Sequence, residues 1–174
     1  MDKFFIIANR QKDKELKTAR KVEAYLNSKG KSCILREETS EQKARSNHYT
    51  DVEKIPKDVE CIIVIGGDGT LLQAARDVVN RQIPLLGINM GTLGYLAEID
   101  RSSLNHLMLD EYTIEKRMML NGKVYHKEEL IAEDVALNDI VIGRDGPLHV
   151  TRFHNYVNGE FLNSYTADGI IIAT

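Results

Sequence analysis

The chain has 174 residues with a formal net charge of −3; 43% of residues are apolar and 28% charged. That length supports one well-packed domain, or one domain and part of a second. The balance leaves no basic footprint for a nucleic-acid partner, no segment is apolar enough to span a bilayer as a helix, and two cysteines without metal-ligand spacing point to reduced, buried thiols in a cytoplasmic protein.

Phe4 to Ala8 is a β-branched and aromatic run, read as a first strand with Asn9 opening the loop behind it. Lys14 to Ser28 carries Leu16, Ala19, Val22 and Leu26 at helical spacing, with Gly30 as its stop. Ser32 to Leu35 reads as a second strand. Residues 37–57 are rich in Glu, Lys, Ser, Thr and Asn, and read as a solvated surface loop.

The strand Cys61–Ile65 runs directly into Gly66-Gly67-Asp68-Gly69-Thr70. Thr70 then opens a helix from Leu71 to about Asn80. Glycines at such a turn permit positive φ and let backbone N–H groups approach a ligand. A helix N-terminus beside them suits a phosphate. The acid inside that nest repels an anion unless a cation bridges them or a base is needed beside a phosphoryl acceptor. Both alternatives point to phosphoryl transfer. Read without function, the same residues are a strand–turn–helix corner with Thr70 as N-cap.

Pro84–Ile88 reads as another buried strand, followed by Asn89-Met90-Gly91-Thr92-Leu93-Gly94-Tyr95-Leu96. Two glycine loops at the carboxyl ends of parallel strands are expected to line one crevice. Ser102 or Ser103 caps a further helix through Leu109. Alternating strand and helix predict a parallel α/β sheet over residues 1–110.

Composition changes near Glu111. Residues 112–126 read as a hairpin about Asn121-Gly122. Val135–Ile142, Val150–Val157 and Glu160–Tyr165 read as strands, the last two hinged on Asn158-Gly159, and Gly169–Thr174 as one more. Residues 111–174 are therefore expected to be an incomplete, β-rich second domain.

The sequence resembles the NAD kinases. The resemblance rests on Gly66-Gly67-Asp68-Gly69-Thr70, on Asn89 to Leu96, on Ala136-Leu137-Asn138-Asp139, and on Tyr165 to Thr174 with its Asp168-Gly169 pair. The first motif is shared with diacylglycerol, sphingosine and phosphofructo-kinases; the second and third narrow the family. It implies an α/β domain with a parallel sheet followed by a β domain, the active site lying between them. It implies transfer of the ATP γ-phosphoryl, accompanied by Mg²⁺ or another divalent cation, to the 2′-hydroxyl of the NAD adenosine ribose.

In that reading Asp68 is the catalytic base and, with Gly69, contacts the nucleotide, while Gly66, Gly67 and Thr70 form the phosphate loop. Asn138 and Asp139 read adenine and ribose. Family members more often carry Glu where Asp139 stands, one methylene longer. Tyr95 packs on a base of the dinucleotide, His149 and Thr166 contact NAD, and Asp168 serves the nicotinamide side. His149 and His154 lack further ligands, so no protein metal site is expected. The resemblance also implies a homo-oligomer, dimer or tetramer. The family continues beyond Thr174 with a Thr/Gly/Ser loop, so the chain reads as C-terminally truncated. Two alternatives stand beside this reading, a lipid kinase sharing the first motif and a non-catalytic nucleotide-binding fragment.

Overall fold

Alternation of side chains along the first strand sets the architecture. Phe4 and Ile6 face one way and Phe5 and Ile7 the other, and both faces are apolar, as a strand covered on two sides requires. A computed structural model describes residues 1–35, 50–90, 111–146 and 150–174 of the chain. These fall in two compact units, Met1–Lys116 and Arg117–Thr174.

The first unit holds a parallel sheet of β1 (Lys3–Ala8), β2 (Ser32–Leu35), β3 (Cys61–Gly66) and β4 (Leu85–Asn89), in the order β2-β1-β3-β4. On one face α1 (Lys17–Ser28) sets Ala19, Val22 and Leu26 against Phe4, Ile6, Ile63 and Ile65. On the other, α2 (Asp68–Asp77) sets Leu71 and Ala74 against Phe5, Ile62 and Val64. Each fully buried Ile, Leu or Phe contributes about 1.5–3 kcal/mol. Phe4 lies between Cys33 and Cys61 on the flanking strands. The two thiols are thus two strand spacings apart, too far for a disulfide. Burial pushes both up to about 12.

Four local expectations differ from the structure. The helix expected from Lys14 begins at Lys17, because Glu15 and Leu16 take left-handed φ of 58° and 55° after a single 3-10 turn. The reason is Asp13, buried to 2% exposure, whose carboxylate accepts the N–H groups of Thr18 and Ala19, both at 2.9 Å. An acid reaching forward to the first turn of α1 holds the entering chain in a tight left-handed bend.

Residues 50–57 are not a solvated loop. Ile55 is 1% exposed, Asp77 Oδ2 accepts the Thr50 N–H at 2.8 Å, and the Arg81 guanidinium donates to the carbonyls of Val52, Ile55 and Pro56. The polar residues of this stretch hide two buried contacts that pin it beside α2. The rest of the expected loop lies outside the described residues, as does the helix expected from Ser102 or Ser103.

The third correction concerns Asn121-Gly122, which lies inside a continuous strand, β5 (Leu120–His126), and is not a turn. The hairpin turns instead at Lys127-Glu128, φ 47° and 70°, into β6 (Glu129–Ala136). The Ile140 side chain lies over Gly122, where a Cβ would come 2.7 Å from its Cδ1 and displace that methyl. A bend at Leu137-Asn138 divides the expected Val135–Ile142 strand, and β7 starts at Asp139 (Asp139–Gly143). The second unit continues with β8 (Thr151–Val157), β9 (Glu160–Ala167) and β10 (Gly169–Ala173). The ladders are β5–β6, β8–β9 and β7–β10, all antiparallel. Asn158 and Gly159, at φ 52° and 86°, turn β8 into β9.

Candidate functional site

The strand order reverses between β1 and β3, the position where open α/β sheets form a crevice at their carboxyl ends. Two loops meet there. Asn9, just past β1, donates its backbone N–H to Ile65 O at 2.9 Å and its side-chain amide to Thr70 Oγ1 at 3.2 Å. Its own Oδ1 accepts the N–H groups of Gln11 and Lys12, an Asx turn that coils the loop back over the sheet end. The result is a rigid corner joining the ends of β1 and β3 to the first turn of α2.

Within that corner Gly66 ends β3 and Gly67 is the N-cap of α2, in extended backbone at φ −130°. The helix therefore starts at Asp68, two residues before Thr70. Thr70 is third in the first turn, its N–H donated to Gly67 O at 2.9 Å. None of Gly66, Gly67 and Gly69 adopts positive φ. Two of them supply space instead. A Cβ on Gly66 would lie 2.6 Å from Thr70 Cβ, and one on Gly67 would lie 2.5 Å from Lys12 Nζ. A Cβ on Gly69 would meet nothing within 4 Å, so no protein atom demands glycine there. Gly66 and Gly67 are buried, Gly69 is exposed, and Asp68 and Thr70 are half-buried at the lip.

The adjoining strand carries the second glycine segment. Asn89 pairs with Gly66, and the Met90 N–H donates to Gly66 O at 2.6 Å. The two segments thus begin side by side. Gly91 to Leu96, with Tyr95, lies outside the described residues, and so does His149.

In the second unit Asn138 occupies the bend between β6 and β7, and its carbonyl accepts the Thr174 N–H at 2.9 Å. Asp139 opens β7 opposite Ala173. Thr166 and Asp168 flank the junction of β9 and β10; Asp168 pairs with Arg144 (Oδ1 to Nη1 3.1 Å) and accepts its backbone N–H at 3.0 Å. All four are exposed. Asp139 and Asp168 stand at opposite ends of the β7–β10 ladder. Five residue steps of about 3.4 Å put them roughly 17 Å apart. Sequence reasoning missed Lys12, Asp13 and Arg144. Asp13 was open to inference as an acid preceding a helical run; nothing in the residue pattern singled out the other two.

Among the described residues no group of three or more His, Cys, Asp or Glu could hold a metal. A Mg²⁺ carried by nucleotide phosphates asks for only one or two carboxylates, and Asp68 is the acid at the phosphate-loop turn. That donor set fits the ion.

Residues 4–112 match the family model for the ATP-NAD kinase N-terminal domain. The chain is 47% identical to an NAD kinase of Lachnospira eligens and 46% identical to one of Agathobacter rectalis. In both comparisons the whole chain aligns with 61% of the relative's length. Among solved structures, yeast NADH kinase complexed with NADH superposes with a TM-score of 0.78 at 23% identity, over 99% of this chain and 57% of that one. An NAD kinase from Archaeoglobus fulgidus in complex with ATP superposes at 0.63 and 17% identity, over 98% and 60%. At those identities the likeness speaks for the fold.

Proposed function

The chain belongs to the NAD kinase family, and from that premise we propose that its protein transfers the γ-phosphoryl group of ATP to the 2′-hydroxyl of the NAD adenosine ribose, giving NADP. One observation carries the reading. The turn Gly66–Thr70 stands at the point where the strand order reverses, with a carboxylate as the first residue of α2. A phosphate alone would be served by a nest without an acid. A phosphoryl acceptor needs a group that takes its proton.

In this mechanism the Asp68 carboxylate accepts the 2′-hydroxyl proton as the ribose oxygen attacks the γ-phosphorus and the bridging oxygen leaves with ADP. A carboxylate of ordinary pKa about 3.9 is a weak base. It helps through position and through proton loss late in a loose transition state. Backbone N–H groups at the start of α2 face the phosphates, and open Gly69 lets a ligand approach the main chain. A Mg²⁺ carried on the nucleotide phosphates would neutralise charge beside the Asp68 turn and leave that carboxylate as the base. Asn138 and Asp139 serve the adenine and ribose, and Thr166 and Asp168 the nicotinamide side, the two acids taking opposite halves of an extended dinucleotide. Tyr95 and His149 complete the proposed set of contacts. The domain division at residues 110 and 111, cytoplasmic location and assembly as a dimer or tetramer belong to the same reading.

The test is NADP formation from NAD and ATP with Mg²⁺, beside a parallel assay with diacylglycerol. NADP formation that vanishes in Asp68→Ala supports the reading. Phosphorylation of the lipid and not of NAD overturns it.

A further inference from the structure

We propose that Lys12 is a donor-binding residue, its ammonium holding the terminal phosphates of the nucleoside triphosphate across Gly67. The inference rests on the phosphoryl-transfer reading above and adds a residue that neither the motif nor the family match singles out.

Lys12 Nζ occupies the space that a Cβ on Gly67 would fill, at 2.5 Å from it, directly beside the N-cap of α2. The backbone at Lys12 is fixed, its N–H donated to Asn9 O at 3.0 Å and shared with Asn9 Oδ1 at 3.3 Å. Asn9 is in turn tied to Ile65 and Thr70. The lysine therefore starts from a rigid corner at the strand-order reversal and not from a free loop.

Charge supplies the next step. Lys3, Lys17, Lys31, Lys54 and Lys123 each pair with a carboxylate. Among the described residues no such pair includes Lys12, Lys14, Lys21 or Lys57, and of these four it is Lys12 whose ammonium lies against Gly67. The acid next to it, Asp13, commits both oxygens to the N–H groups of Thr18 and Ala19. Lys12 instead lies across a glycine beside the Asp68 carboxylate's turn. In a chain of net charge −3, a polyphosphate needs a local cation to offset that acid. A lysine suits the task as a compact point charge on a flexible stem. Glycine at position 67 then has a second use: any side chain there would push the ammonium off the phosphate path.

The experiment measures binding of ATP and of NAD separately by calorimetry on the full chain, with thermal unfolding as the fold control. Lys12→Gln is expected to weaken ATP about tenfold or more, as loss of a charge-assisted contact does. NAD affinity and thermal midpoint stay within error, and Lys12→Arg retains most of the ATP affinity. Gly67→Ala is expected to weaken ATP in the same direction. ATP affinity within twofold of wild type in Lys12→Gln overturns the inference, as does a wild-type chain that binds no ATP. The two readings separate cleanly. Lys12-dependent ATP binding without NADP formation removes the NAD kinase reading and leaves this one. NADP formation with an unchanged ATP response in Lys12→Gln does the reverse.

Discussion

Asn9 Nδ2 donates to Thr70 Oγ1 over 3.2 Å, joining the end of the first strand to the first turn of the helix that carries Asp68. The pair is sixty-one residues apart in sequence, and it fixes the orientation of the α2 N-terminus relative to the sheet. Thr70→Val keeps the shape of the side chain and removes the acceptor. It is expected to destabilise the chain by about 1 kcal/mol, with the Asn9 amide left unsatisfied. Asn9→Ala also loses the Asx turn to Gln11 and Lys12 and should cost more. A double-mutant cycle in urea should show the two substitutions to be non-additive. Strict additivity would mean that the contact does not couple the two loops.

Asp68→Asn preserves size and removes basicity. In the context of a full-length protein, turnover for NADP formation is expected to fall at least about 10²-fold, the effect of losing a positioned base. NAD affinity should change much less. Near-normal turnover in the Asn variant would reduce Asp68 to a structural residue of the helix start.

The strands of the parallel sheet were legible because each is a short, largely apolar run bounded by polar or turn residues, and the glycine motif announced its own strand–turn–helix corner. Boundaries set by tertiary contacts were not. Nothing local says that Asp13 reaches forward to Thr18 and Ala19, so the helix looked as though it began at Lys14. Asn121-Gly122 carries the same Asn-Gly turn signal as Asn158-Gly159, yet it runs straight through a strand paired to β6. The true turn falls on Lys127-Glu128, whose types carry no turn signal. At the candidate site the motif residues were visible, whereas Lys12 enters only through the fold of the Asn9 loop.

Asp13 is expected to be a stability residue and not a site residue. Its two oxygens satisfy two N–H groups at the start of α1, in a place with 2% exposure. Asp13→Ala leaves both donors without their acceptor, and should cost about 2–3 kcal/mol. The loss reads directly as a lower urea midpoint with unchanged m-value. A change under 0.5 kcal/mol, on the ordinary scale of surface substitutions, would show that the left-handed bend at Glu15-Leu16 forms without it.

The buried thiols set an alkaline limit. Desolvation raises Cys61 to about 12 in the folded chain, whereas an unfolded thiol ionises near 8.5. Below that value both states hold the proton and stability is unaffected. Above it the unfolded chain loses the proton and the folded chain keeps it, so stability falls between about pH 8.5 and 12, by up to about 1.4 kcal/mol per pH unit from this group. Cys61→Ala should flatten the decline of the urea midpoint between pH 8 and pH 10, whatever its effect at neutral pH. An equal slope in variant and wild type would assign the alkaline loss to other groups. Cys33, also raised to about 12, with Glu23 adding to its desolvation, acts in the same direction.

Asp139 and Asp168 make the last test, because the ladder holds them at opposite ends. If each acid serves a different half of the dinucleotide, their effects divide by ligand. Asp139→Ala removes a charged acceptor from the adenosine ribose, a contact of about 1.5–3 kcal/mol, and should weaken NAD and a bare adenosine ligand alike. Asp139→Glu should be tolerated, since the longer acid reaches the same hydroxyls. Asp168→Asn should weaken NAD and leave adenosine unchanged. It also loses the ion pair with Arg144. That pair is largely exposed, Asp168 at 73%, so its loss should barely move the melting temperature. Calorimetric titration of both variants with NAD and with adenosine decides the matter. Equal losses for the two ligands in Asp168→Asn would place both acids on the same half of the substrate, against the spacing that the ladder imposes.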